Sequence, residues 1–372
     1  MEIISWNKSM QKLHQHIAKV IGCLLTAAAV TSCGLIDDDL SECGNDYEMN
    51  YELQLVTNIS TELTTQLQTN VNVSSALRTH LSNIFSDKAH DVDLSFFDTV
   101  GDSLMLYHWG DTIDANQTSY TLYLPMRQYM HLAIANVVDN PIVHVESFER
   151  CHEEKLVQVA GDTIDSHNTG LFTARQPMEV LEGIDQTFNV HLYMANSATA
   201  LVIDPRAHAY KNIKVYTTGF ATAFNIADSS YVFSEKSPIV RTDQLSVSDT
   251  DDLCFCSVNF PSRDSDPTRL VIEGDEPFEA PTAEEALWQY RIYVTLEDGS
   301  VTESILSMPK PLRPGQMKVT KVHFSDNQGT IASDDNTVGV SVTLDWNPIT
   351  FPDIPLGIKK NEESTTYRAC EP

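Results

Sequence analysis

Basic side chains are scarce in this sequence. Its 372 residues carry 24 lysines and arginines against 52 aspartates and glutamates, a formal net charge of −28. Such a balance repels phosphate backbones and anionic inner-leaflet surfaces, so nucleic-acid binding and polybasic membrane attachment are not expected. Long hydrophobic runs are also missing. The longest apolar stretch is "VIGCLLTAAAV" (20–30), shorter than the ~20 residues a transmembrane helix needs. No Gly-x-Ser-x-Gly elbow, phosphate loop, His-Glu-x-x-His or dinucleotide fingerprint occurs, so the motifs that announce hydrolases, nucleotide enzymes and zinc proteases are lacking. No catalytic residue, metal site or cofactor is expected, and the chain is not read as an enzyme. The acidic strings "SVSDTDDLC" (246–254) and "SRDSDPT" (262–268) lack the ligand order and central glycine of a calcium loop and read as solvated loops. Histidines such as His108, His131 and His191 fall at strand positions and read as structural or surface residues.

Cysteine is infrequent too, with seven in the chain, and the first three say where the protein resides. Residues 1–19 hold Lys8, Lys12 and Lys19 with one acid, Glu2. The apolar run that follows has the length of a signal-peptide core. It ends in Val30-Thr31-Ser32-Cys33, which resembles the lipobox of bacterial lipoproteins. There the thiol receives a diacylglyceryl group before cleavage ahead of the cysteine. Cys33 is therefore read as a lipid attachment point; a signal peptide cut elsewhere, with Cys33 incidental, is the alternative. Each buried methylene contributes ~0.8 kcal/mol, so two or three acyl chains make a lasting anchor. Removal of Cys23 with the leader and commitment of Cys33 to lipid leave Cys43, Cys151, Cys254, Cys256 and Cys370. Five thiols cannot all pair within one chain. Beyond the inner membrane disulfides are permitted, and Cys43 with Cys151 is the candidate pair, tying the tether to the first domain. Cys254 and Cys256, two apart on a strand with no second pair at metal spacing, read as buried thiols.

The body reads as strands. "YEMNYELQLVT" (47–57) alternates Met49, Tyr51, Leu53 and Leu55 on one face. Residues 91–109 form two alternating runs joined at Val-Gly-Asp, and 288–306 form two more around Asp-Gly-Ser, both hairpin signals. Further strands are expected at 120–126, 131–138, 187–194, 213–219, 269–274, 316–324 and 338–346. The spacing predicts one helix, over 73–85, with Val73, Ala76, Leu77, Leu81, Ile84 and Phe85 on its apolar face, packing on a sheet edge or bridging two strands. Many short strands with one helix imply an all-β protein of two transthyretin-like or Ig-like β-sandwich domains, the helix in the N-terminal one. The expected organisation is a leader (1–32), a lipidated tether (33–46), sandwiches over 47–197 and 198–347, and an extended tail (348–372) rich in proline at its start.

The lipidated cysteine followed by "DDLSEC" (38–43), the strand "YELQLVTN", a helix before "VDLSFFDTVGDSL", then "YMHLAIANVVDN" (129–140), "TGLFTARQPMEV" (169–180), "LRPGQMKVTKV" (312–322) and "LDWNP" (344–348) resemble the FimB/Mfa-type fimbrial anchor lipoproteins of Bacteroidota. The acidic Asp37-Asp38-Asp39 stretch resembles the signal that sends such lipoproteins to the outer face of the cell. The resemblance implies an outer-membrane, surface-exposed fimbrial subunit. Its place would be the base of a short fimbria, held through Cys33, limiting fibre length and partnered by other fimbrial subunits, with the host ligand unspecified. Assembly by β-strand complementation is expected, because a sandwich with an open edge offers ladder groups and an apolar groove to a neighbour's strand. Two alternatives remain open: a stalk or tip adhesin, and a surface glycan-binding lipoprotein using Tyr107, Trp109, Tyr120 and Tyr123 as an aromatic platform.

Overall fold

The computed structural model describes residues 46–56, 71–85, 89–99, 103–112, 118–138, 140–146, 149–234, 237–263, 287–334 and 339–345. Cys33, Cys43, the strand expected at 269–274 and the tail lie outside them.

Alternation along the sequence builds the first sandwich. Strand β1 (Asp46–Val56) turns Met49, Tyr51 and Leu53 inward and Glu48, Asn50 and Glu52 outward. It runs parallel to β10 (Gln186–Met194) and antiparallel to β4 (Ser119–Pro125). A second leaf holds β2 (Asp91–Asp98), β3 (Met105–Thr112), β5 (Gln128–Ala135) and β9 (Phe172–Glu179). Together they form one seven-stranded sheet in the order β3-β2-β5-β9-β10-β1-β4. The leaves join where β9 and β10 pair only at Tyr193↔Thr173 and Met194↔Phe172. The sheet folds over at that corner. In a flat sheet β1 and β5, three steps apart, would be separated by about 14 Å. Instead the Tyr51 hydroxyl lies 2.7 Å from Nε2 of His131. The two edges also meet, with Trp109 of β3 packed edge-to-face on Tyr120 of β4 at 5.4 Å between centroids.

Helix α1 (Val71–Ile84) buries Val73, Leu77, Leu81 and Ile84, one face at helical spacing. It does more than sit on a sheet edge, because its apolar face is part of a core shared by the first sandwich and the next sheet. Its end leans on Gly170, whose N–H donates to Ile84 O at 2.8 Å. A Cβ on residue 170 would come within 2.6 Å of the Phe85 ring.

That next sheet has five strands: β16 (Asp243–Leu245), β17 (Leu253–Asn259), β11 (Ser197–Asp204), β20 (Met317–Phe324) and β21 (Ile331–Ala332). Ala198, Ala200, Val202, Cys254 and Cys256 face the helix and first sandwich, whereas Leu201, Ile203, Phe255 and Phe324 face the other way. Burial on both faces explains why "SATALVI" shows no polar alternation. The opposing layer is a six-stranded sheet of β22 (Gly339–Asp345), β19 (Val301–Met308), β18 (Trp288–Thr295), β12 (Asn212–Thr218), β15 (Ile239–Arg241) and β8 (Thr163–Ile164). Trp288, Tyr290, Ile292 and Val294 supply its inner face.

A four-stranded sheet of β14 (Ser230–Val232), β13 (Ala223–Asn225), β7 (Lys155–Gln158) and β6 (Val143–Glu146) covers the outside of β2 and β5. There Phe97, Met130, Leu132 and Ile134 pack with Val143, Leu156 and Phe224. Among the described residues the protein is thus all-β with one α-helix in its N-terminal part, and chain from both sides of Ser197 shares two of the four sheets.

Candidate functional site

Strand direction gathers several features at one end of the first sandwich. β1 and β10 begin there, and β2, β4 and β9 finish there. The end is therefore built from the entry to β1, the β2–β3 connection, the 126–127 turn and residues 180–185. Segment 149–151 is laced onto the start of the edge strand β3. The N–H of Met105 donates to Glu149 O at 2.6 Å, that of Cys151 donates to Ser103 O at 3.1 Å, and Leu104 bridges to Arg150. Beyond this lacing β3 is, among the described residues, the border of its sheet. A groove of about 960 Å³ runs beside it, lined by Leu104, Tyr107, His108, Glu149, Arg150 and Glu153 among others. An edge strand beside a groove can accept another strand through its ladder groups.

Cys151 sits behind the groove, fully buried with Phe97 and Met130. It is disulfide-bonded. Cys254 and Cys256 are buried free thiols, so its partner lies outside the described residues. Burial pushes the Cys254 thiol up to about 12, which leaves it unreactive.

Glu154, three residues on, was not singled out by the sequence. It stands in an acid-rich stretch, and only the covering four-stranded sheet makes it special. It is 1% exposed, and neither carboxyl oxygen has a hydrogen-bond partner. Burial raises its pKa to about 8. The neighbouring Asp93 adds to that, and the Ser95 hydroxyl beside it offsets part. Asp93 in turn pairs with His108 Nε2 at 2.8 Å. His131 accepts from Tyr51 and reaches Ser95 O through Nδ1 at 3.0 Å, so both ring nitrogens are satisfied. His191 is exposed. Arg291 is a buried charge of the opposite sign, 2% exposed and 3.6 Å from Glu303. Alternation in "WQYRIYVT" places it opposite the core face.

The four aromatic residues of the glycan reading do not share a surface. Trp109 and Tyr120 pack on one another toward the core, leaving Tyr107 and Tyr123 exposed. Among the described residues no group of three or more His, Cys, Asp or Glu side chains is placed to hold a metal ion.

No protein-family model matches the chain, and no curated protein matches it. Solved structures similar to it include the fimbrial anchor protein Mfa2 from Porphyromonas gingivalis, at 11% identity and a TM-score of 0.41, covering 80% of this chain and 97% of that one. The tip fimbrial protein Mfa3 from the same organism is similar at 11% identity and a TM-score of 0.38, covering 81% and 100%. A candidate polysaccharide-binding protein (DUF1812) from Bacteroides thetaiotaomicron is similar at 10% identity and a TM-score of 0.44, covering 78% and 97%.

Proposed function

We propose that this chain is a surface lipoprotein of the outer membrane, acylated at Cys33, that serves as a fimbrial subunit. Its role is that of the anchor attaching a short fimbria and limiting its length. The observation that carries this reading is one of position. The lipobox-like Val30-Thr31-Ser32-Cys33 and the "DDLSEC" stretch lie just ahead of β1, and β1 enters the fold at the same end as the groove beside β3. Cys43 is the partner of Cys151, so that the tether is stapled to the wall of the first sandwich. The chain works as a leader, a tether, two sandwich domains meeting near Ser197, and a tail. Assembly proceeds by β-strand complementation, with an open sheet edge accepting a strand from the next subunit and the 348–372 tail taking part.

Native pull-down of the surface complex tests the class: co-purifying fibre subunits support it, and outer-membrane glycan transporters in their place contradict it. Deletion of residues 348–372 tests the tail. Fimbriae unchanged in amount and length would remove the tail from the mechanism.

A further inference from the structure

Eleven large hydrophobic side chains are exposed among the described residues, and six of them crowd the tether end of the first sandwich: Leu104, Tyr107, Tyr123, Met126, Leu181 and Ile184. Three are loop tips. Met126 is 55% exposed, Ile184 56% and Leu181 38%. They are held firmly. The N–H of Leu181 donates to Gln186 Oε1 at 2.8 Å, and Gln186 Nε2 donates to Glu179 O at 3.1 Å. Gly183 takes φ +69 between the two apolar residues, with open space around it. The N–H of Val180 donates to Arg127 O at 2.9 Å, tying the loop to the turn that carries Met126. Rigid apolar tips clustered at one end of a soluble sandwich mark an interaction surface.

The tether decides what that surface meets. Twelve residues lie between Cys33 and Asp46, a reach of at most ~45 Å even when fully extended. If Cys43 bonds Cys151, the free reach is ten residues, about 35 Å. Either span brings this end of the sandwich to the bilayer before the other, which lies a full β1 length farther away. The tips are flanked by Asp46, Glu48, Glu179, Glu182 and Asp185, with Arg127 among them. This acidic surround disfavours anionic headgroups and suits a zwitterionic surface.

Resting on the lipidation reading, we propose that the first sandwich stands end-on against the membrane that holds Cys33, with Met126, Leu181 and Ile184 seated at the headgroup–acyl boundary. The contact orients the subunit so that its second half projects outward.

The test uses the full-length lipidated protein in phosphatidylcholine vesicles. An environment-sensitive nitrobenzoxadiazole probe is placed at Met126→Cys, or at Val138→Cys on the opposite end, both in a Cys370→Ser background; buried Cys254 and Cys256 stay unlabelled. The expected result is an emission increase of about two-fold or more at position 126 on reconstitution. That signal is quenched by doxyl-labelled lipid, while position 138 is unaffected. The double variant Leu181→Ser/Ile184→Ser lowers the quenching, and anionic phosphatidylglycerol in the vesicles lowers it as well. Equal signals at 126 and 138 from protein that floats with the vesicles overturn the end-on contact while leaving lipidation intact. A 126 probe that ignores lipid but is shielded by added fimbrial subunits overturns it in favour of a protein interface. Protein that neither floats nor carries acyl mass on its N-terminal peptide refutes the lipidation reading itself, and the contact with it.

Discussion

The hydroxyl of Tyr51 on β1 and Nε2 of His131 on β5 lie 2.7 Å apart across the inside of the first sandwich. The Tyr51 ring stands edge-on to the imidazole at 5.4 Å, and Phe96 stacks on the imidazole at 4.4 Å. The contact is a crosspiece between two leaves that, among the described residues, share ladder bonds only at the short β9–β10 pairing. His131 Nδ1 faces a carbonyl, so Nδ1 carries the proton and Nε2 accepts from the tyrosine. Tyr51→Phe keeps the packing but strands a fully buried acceptor. It should cost about 1–3 kcal/mol in chemical denaturation. A change within error would show that the crosspiece contributes nothing.

The same histidine makes the fold acid-sensitive. Burial lowers its pKa to about 4, and that of His167 to about 3. Between these values and about 6.5 the unfolded chain binds protons that the native protein does not, so stability falls as pH drops through that window. His167→Gln should flatten part of the slope between pH 6.5 and 4 in pH-dependent melting curves.

Glu154 has the opposite sign. Its folded pKa of about 8 lies above the ordinary carboxyl value of 4.5, so the native protein binds the extra proton. The stability this group contributes is complete below pH 4.5 and is lost as pH rises through 8. Glu154→Gln keeps a neutral, isosteric group there, and should stabilise the protein relative to wild type at pH 8–9 by about 1–3 kcal/mol, with little difference at pH 5. Parallel melting at the two pH values measures it.

Helix α1 joins two layers through few side chains. Leu81 is 2% exposed, and Leu81→Ala should cost about 2–5 kcal/mol. Val71→Ala, at the exposed start of the helix, should stay within about 0.5 kcal/mol. Urea midpoints separate the two.

The disulfide of Cys151 is open to direct mapping. Non-reducing peptide mass spectrometry should yield a peptide linking Cys43 and Cys151. A Cys151–Cys370 peptide would move the staple to the tail and free the tether.

Much of this architecture can be read from residues alone where one face meets water. The alternation of β1 is plain, and so is the Asp-Gly-Ser turn. There Asp298 Oδ1 accepts from Ser300 N at 2.9 Å, and Gly299 takes φ +86. Strands buried on both faces, such as β11, carry no alternation. The two- to four-residue strands β7, β8, β13 and β15 exist because partners far along the chain complete them, as β13 does for β7, and β6, β14 and β16 are short strands added beside near neighbours. The aromatic residues near β3 illustrate the same limit. Alternation allows either a surface or a core role for Trp109 and Tyr120, and only the folding-over of the seven-stranded sheet sends them inward. Glu154 carried no local signal, since its pKa is set by a sheet assembled from chain more than sixty residues away.

The lipid tether at Cys33 is the claim on which the functional account stands. Mass spectrometry of the N-terminal peptide from the native membrane-extracted protein tests it most directly. The account expects a mature chain beginning at Cys33 and bearing two or three acyl chains, lost in Cys33→Ala. An N-terminus elsewhere, with an unmodified Cys33, would contradict it.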